Sequence, residues 1–245
     1  MTYLFISDLH LSPNHPRLIR GFLDLLEHYA HQDTQLYILG DWFDAWVGDD
    51  YQAPFLAPII LALQQFNQRG NHIFFQAGNR DFALGEKFLK QFNATRLPEI
   101  YHLNIAQLRI RLEHGDALCT DDVAYQRFKK IIRNPIVLKL LLNSPLAFRL
   151  KLAQGFRKKS RQSTSNKITT IMDVHPHAVE QALKDVDLLI HGHTHRPAVH
   201  QHQVQGHDHS QYRIVLGDWR EKTAEAQILE INDQGQWHCV QWNFD

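Results

Sequence analysis

The chain has 245 residues, 44% of them hydrophobic, which suits one α/β domain with a sizeable core. Lys plus Arg equals Asp plus Glu at 26 each, so whole-chain charge singles out no partner. The two cysteines, Cys119 and Cys239, give no disulfide framework and fit a reducing compartment. No apolar run approaches the roughly 20 residues of a membrane span, and the N-terminus has no signal-peptide pattern.

Short apolar runs alternate with helix-like stretches through the first half. Tyr3 to Ser7 reads as a strand. Leu18, Phe22, Leu25, Leu26 and Tyr29 have helical spacing within Arg17 to Ala30. Leu36 to Leu39 and His72 to Gln76 read as strands, Ala57 to Phe66 and Glu86 to Phe92 as helices. Tyr101 to Ile105 and Leu108 to Glu113 read as a hairpin. Residues 121 to 180 look mostly helical, broken at Asn134-Pro135 and Ser144-Pro145 and by a polar stretch, 160 to 166, that reads as a loop. Val186 to Ile190, Tyr212 to Leu216, Ala226 to Ile231 and Trp237 to Trp242 complete the strands. This order predicts an α/β fold of layered mixed sheets flanked by helices.

Charge is unevenly distributed. No acidic residue lies between Asp122 and Asp173, while 12 of the 26 basic residues do. The rest of the chain is 12 charges negative. Such segregation points to something anionic meeting this segment.

Several strands end alike. Phe5-Ile6-Ser7 runs into Asp8 and His10, "LYILG" into Asp41, "IFFQAG" into Asn79, "IRLE" into His114, and "LLIHG" into His193 and His195. Ligands of open α/β sheets bind beyond the carboxyl ends of strands. Each fragment alone is an ordinary capped strand end; the ordered set of five is not. Imidazole, carboxylate and amide oxygen without thiolate suit Mn²⁺, Fe²⁺ or Zn²⁺.

The set D-x-H, GDxxD, GN-x-D, His before Gly, and GHTH resembles the calcineurin-like metallophosphoesterase family. That resemblance implies the family's sandwich of mixed sheets and two divalent cations, Mn²⁺ being the favoured ion. It implies that Asp8, His10, Asp41 and His195 hold one ion. It implies that Asp41 as bridge, Asn79, His114 and His193 hold the other. Paired ions stabilise both the attacking and the leaving oxygens of an in-line displacement. Asp44 and Asp116, close behind ligand motifs, either orient ligand histidines or face water.

Arg80 stands where the family commonly has a histidine acid. Arginine keeps its proton, so it cannot protonate a leaving alkoxide, but its fork binds phosphate oxygens. A diphosphate, whose leaving phosphate needs no proton, fits. The stretches "GDWFDAW", "AGNRDF", "HGDALCTDD", "KSRQSTSNKITTIMDV" and "IHGHTHRP" resemble, more narrowly, the branch of the family that hydrolyses UDP-2,3-diacylglucosamine in the lipid A pathway. The resemblance implies water attack on the α-phosphorus, with Asp41, Asn79, Arg80 and His114 at the reaction. It implies that Asn79, Arg80, Asp122, Ser160, Thr164, Lys167 and His193 contact substrate. It also implies a lid over about 121–170 within one domain spanning 1–245. Trp46, Phe82, Phe128, Val137, Leu141, Leu152 and Phe156 are candidate lining for acyl chains, with core packing the plainer reading for each.

The expected partner is an amphiphilic UDP-sugar lipid, met peripherally at the cytoplasmic face of the inner membrane. No nucleic acid and no obligate protein partner is expected. Other readings are a soluble nucleotide-diphosphate hydrolase, a nuclease of the same fold, or a non-catalytic scaffold. The first needs no apolar cap. The second would want aromatics placed for base stacking, which the Leu- and Phe-rich basic segment lacks. The third must explain seven intact ligand positions. The histidines at 200, 202, 207 and 209 read as an exposed polar hairpin rather than another metal site.

Overall fold

The computed structural model describes residues 1–166, 173–203 and 209–245, leaving aside the side chains of residues 158–166. Among the described residues, eleven strands form two mixed sheets. They are β1 (Thr2–Ile6), β2 (Thr34–Leu39), β3 (His72–Gln76), β4 (Thr95–Arg96), β5 (Tyr101–Ile105), β6 (Leu108–Leu112), β7 (Leu188–His191), β8 (Ala198–His202), β9 (Gln211–Val215), β10 (Glu225–Asn232) and β11 (Trp237–Asn243). The helices are α1 (Pro16–Tyr29), α2 (Leu56–Gln68), α3 (Glu86–Leu89), α4 (Val123–Ile132), α5 (Pro135–Leu142), α6 (Leu146–Asn166) and α7 (Pro176–Leu183).

One sheet runs β11-β10-β1-β2-β3-β4 and the other β5-β6-β7-β9-β8. Strands β1 to β4 pair in parallel, as do β6, β7 and β9; hairpin partners flank each set. Side chains alternate across a strand, and the layers follow. Phe5, Tyr37 and Leu39 point into the core between the sheets, with Ile110, Leu112, Ile190 and Ile214 opposite. Leu4, Ile6, Leu36 and Ile38 point the other way, toward the Leu18, Phe22, Leu25, Leu26, Tyr29 stripe of α1 and Ile59, Leu63 and Phe66 of α2. Leu189 turns outward to Val179, Ala182 and Leu183 of α7. Helix, sheet, sheet and helix thus stack in four layers.

The breaks at Asn134 and Ser144 fall where the sequence puts them. The Asn134 side chain accepts from the Ile136 N–H at 3.0 Å, and Pro135 opens α5. The expected loop at 160–166 is instead the last turns of α6. It contains neither Pro nor Gly, and Ser, Thr and Asn each disfavour a helix by only tenths of a kcal/mol, about 0.7 at most. Among the described residues no helix is long and apolar enough to cross a membrane. Trp219 packs in the core and Trp242 against it from edge strand β11.

Candidate metal centre

The parallel strands deliver their C-terminal ends to one side of the sandwich. The loops after β1 and β2 stay paired there: Asp8 N donates to Gly40 O at 3.1 Å and His10 N to Asp41 O at 2.9 Å. The loop after β7 joins that after β6, Gly192 N donating to His114 O at 2.9 Å. Among the bonds that stitch the two sheets, His193 N donates to Asp8 Oδ2 at 2.8 Å. Gly192 makes this approach possible, since an added Cβ would collide with Asp8 Oδ2 and Ser7 Oγ.

Backbone strain is concentrated here. Asp8, His10, Asp41, His193 and His195 all adopt left-handed φ, from 51° to 69°. Such a residue costs about 1–3 kcal/mol unless its surroundings enforce the turn. Five of the seven expected ligands share it.

Two donor groups result. Asp8, His10 and His195 have ligand atoms within 4.8 Å of one another, as do Asp8, Asp41 and His114. His195 Nε2 lies 3.3 Å from His10 Nε2 and 3.3 Å from Asp8 Oδ1. Asn79 Oδ1 stands 3.0 Å from His114 Nε2 and 2.9 Å from His193 Nδ1. All seven expected ligands therefore gather, with Asp8 touching both groups and His193 reached through Asn79.

The donors fit cations. The Leu39 carbonyl can only accept, so His114 Nδ1 donates to it, at 2.9 Å. Nε2 faces Asn79 Oδ1 at 3.0 Å, with Asp41 Oδ1 3.6 Å away, and in the neutral ring it turns a lone pair to that spot. The surrounding carboxylates favour positive charge there, as a proton on Nε2 or as a cation replacing it. His10 Nδ1 is buried and makes no hydrogen bond among the described residues. Titration follows the same charges. Burial works to lower His114, but Asp41 and Asp8 raise it above the ordinary imidazole value. Burial would raise Asp8, yet the His195 contact and the nearby histidines hold it below the carboxylate range. His195 is raised to about 9 by Asp8 against its own burial. Burial lowers His10 to about 4 and His193 to about 3. Burial raises Asp41.

Arg80 borders the centre. Its N–H donates to Asp41 Oδ1 at 2.8 Å, its carbonyl accepts from Trp46 N at 3.0 Å, and its guanidinium reaches to 4.0 Å from Asp41 Oδ2. The expected substrate residue Asp122 caps α4, accepting from Tyr125 N at 3.1 Å. The side chains of Ser160 and Thr164, and Lys167, lie outside the described residues, as does His207. Trp46 is core rather than lining, buried against Phe43 and Phe88.

Asp44 and Asp116 do neither of the things expected of them. Asp44 pairs with Arg157 of α6. Asp116 accepts from Tyr125 and pairs with Lys129 at 3.1 Å and Arg133 at 3.3 Å. Buried Arg149 likewise holds Asp50, with Nη1 2.7 Å from Oδ1. The segregation of charge in the sequence is thus partly internal: cations of the helical insertion clamp it onto acidic loops of the body.

Three more residues bear on the centre: Asp81, which the GN-x-D motif contains but to which the sequence assigns no role, and Tyr125 and Asp218, which none of the family motifs marks. Asp81 accepts from Gly78 N and Trp42 N, each at 2.8 Å, and ties two ligand loops. Burial and the Asp41 charge raise it to about 7. Tyr125 lies over His193, ring centroids 6.3 Å apart. Asp218 approaches His195 Nδ1 at 3.8 Å. A signal for Asp218 existed: "LGDW" occurs at 39–42 and again at 216–219, both times at a strand end.

A two-sheet sandwich with clustered Asp, His and Asn at its strand ends is the architecture of a metal-dependent phosphoesterase. The calcineurin-like phosphoesterase family matches residues 1–197, and the chain belongs to that family. Membership implies divalent metal ions. Among its relatives, a protein of Serratia proteamaculans (strain 568) is 46% identical over 95% of each chain. One from Pseudomonas fluorescens (strain SBW25) is 44% identical over 95% of this chain and 92% of its own. A third, from Azotobacter vinelandii (strain DJ / ATCC BAA-1303), is 42% identical over the full length of both. All three carry the name UDP-2,3-diacylglucosamine hydrolase. A solved structure described as a novel archaeal phosphodiesterase shares the fold, with TM-score 0.51 at 16% identity over 98% of this chain and 99% of that one.

Proposed function

We propose that this chain hydrolyses the diphosphate bond of UDP-2,3-diacylglucosamine, giving UMP and 2,3-diacylglucosamine 1-phosphate, in the lipid A pathway. The observation that carries this reading is identity of 42–46% over nearly the whole chain to proteins named for that hydrolysis. Asp8, His10, Asp41 and His195 would hold one divalent cation, and Asp41, Asn79, His114 and His193 a second. Mn²⁺ suits this thiolate-free set of donors. When bound, such a pair supplies charge stabilisation and a water nucleophile at neutral pH.

The chain's own groups do the rest. Arg80, held by its backbone on both sides, grips non-bridging oxygens of the diphosphate and aligns the α-phosphorus for attack. It donates no proton, and the departing sugar phosphate needs none. Asp122, Ser160, Thr164 and Lys167 are the proposed contacts to the rest of the polar head. Helices α4 to α6 form the proposed lid. Phe128 and Phe156 meet edge to face, ring centroids 5.0 Å apart, and with partly exposed Val137, Leu141 and Leu152 they offer an apolar surface to acyl chains.

The outer side of the lid carries exposed Ile131, Ile136, Leu140 and Phe148 beside exposed Lys130, Lys139 and Lys151. That mixture suits peripheral adsorption to an anionic bilayer, where the substrate resides. The test of substrate is direct. The Mn²⁺-loaded protein should turn over UDP-2,3-diacylglucosamine and leave UDP-N-acetylglucosamine nearly untouched. Equal turnover of the two would favour a soluble nucleotide-diphosphate hydrolase instead.

A further inference from the structure

Arg133 follows the last turn of α4 and reaches beneath the ligand loops. Its Nη2 donates to Gly78 O at 2.8 Å and lies 3.3 Å from Asp116 Oδ2. Its Nη1 stands 3.5 Å from Glu99 Oε1, and its guanidinium carbon 6.0 Å from the Phe82 ring centroid. One planar fork therefore joins the helical insertion to the loop after β3, which carries Asn79, and to the loop after β6, which carries His114.

Gly78 is the residue through which this grip is felt. Its N–H is held by Asp81 Oδ1 at 2.8 Å, and an added Cβ would collide with Asp41 Oδ1. Its carbonyl belongs to the peptide plane that leads into Asn79. With that carbonyl fixed by Arg133 and the N–H fixed by Asp81, the approach to Asn79 has one orientation. Asn79 Oδ1 then falls within 3.0 Å of both His114 Nε2 and His193 Nδ1. Nη2 alone reaches the carbonyl and the Asp116 carboxylate, and Nη1 reaches Glu99; a lysine keeps the charge but has one nitrogen for all three partners and no rigid plane to aim it.

We infer that Arg133 is a positioning residue for Asn79, setting the cation affinity of the Asn79, His114 and His193 group. The inference rests on the metal-centre reading. Partners that orient ligands from outside typically govern metal affinity by about 10–100-fold. An arginine that only anchors a helix end would change stability and leave cation affinity alone.

The test is Mn²⁺ titration by electron paramagnetic resonance on the full chain, as wild type, Arg133→Lys, Arg133→Met and Glu99→Gln, with melting followed separately. Arg133→Lys keeps the charge and guards against loss of fold in Arg133→Met. The wild type should bind two ions. Both Arg133 variants should bind one of them about tenfold more weakly or worse, and should lose kcat more than KM. Glu99→Gln, which removes the outer carboxylate that Arg133 shares with Lys129, should bind as the wild type does. Arg133 variants that melt earlier yet bind both ions normally would overturn the inference. A wild type that binds no Mn²⁺ would bring down the metal-centre reading and this inference with it.

Discussion

His114 Nε2 stands 3.0 Å from Asn79 Oδ1, while the other ring nitrogen is tied to the Leu39 carbonyl. The Asp41 and Asp8 carboxylates favour positive charge at this spot, whether a proton on Nε2 or a cation in its place. Asp41 Oδ1, at 3.6 Å from the same nitrogen, adds the negative charge that holds one there.

Asp41 is the carboxylate expected to be shared. Asp41→Ala should therefore strip both ions, not one, and reduce turnover by about 10³-fold or more. Metal analysis of the desalted protein checks this. Retention of two ions per chain would remove Asp41 from the bridging position.

Arg80 is expected to act on substrate and not on metal. Arg80→Ala should lose about 10²–10³-fold in kcat with the metal content of the wild type. Its backbone contacts to Asp41 and Trp46 survive the change, so the loop keeps its shape. A metal-depleted Arg80→Ala protein would contradict the assignment.

Much of this centre was legible before any fold was known. Any one apolar run that stops on Asp8, Asp41, Asn79, His114 or His193 is an ordinary strand end, but five in order point to a site beyond the carboxyl ends of the strands. The stripe from Leu18 to Tyr29 was legible for a similar reason: helical spacing reports a buried face. What joins residues far apart was not. Arg149 and Asp50 are 99 positions apart, Arg157 and Asp44 113, and nothing local pairs them. The cations of the basic segment accordingly pointed to an anionic partner rather than to acids of the same chain. Left-handed backbone at Asp8 or His195 leaves no trace in residue type, since Asp and His tolerate ordinary turns equally well. The polar run 160–166 resembled a loop because composition outweighed the absence of any helix breaker.

Stability should depend on pH through Asp187, away from the centre. Burial raises this carboxyl, but hydrogen bonds from Arg109 and His209 prevail and hold it well below its ordinary value of 3.8. Arg109 N donates to Oδ2 at 2.8 Å and Nη2 to Oδ1 at 2.9 Å. A depressed carboxyl contributes stability above its unfolded value and loses that contribution as pH falls through its folded one. Asp187→Asn should therefore unfold at lower urea than the wild type at pH 7, with the gap narrowing below pH 3.8. A gap that widens in acid would contradict the sign.

The lid's outer face should bind anionic bilayers. Ile136 and Leu140 are 70% and 69% exposed one turn apart on α5. Ile136→Glu with Leu140→Glu should abolish co-sedimentation with vesicles containing anionic phospholipid, as should roughly 0.5 M salt in part, because screening shortens the reach of the lysines. Turnover of substrate in detergent should change little. Unaltered co-sedimentation would place the membrane contact elsewhere.

The central claim is that this centre drives water onto the α-phosphorus of a UDP-sugar lipid. ³¹P NMR of the Mn²⁺-loaded protein acting on UDP-2,3-diacylglucosamine in ¹⁸O-water reads that event directly. The account requires the isotope in UMP and none in the sugar 1-phosphate. Label in the sugar phosphate, or no cleavage by metal-replete protein, would contradict it.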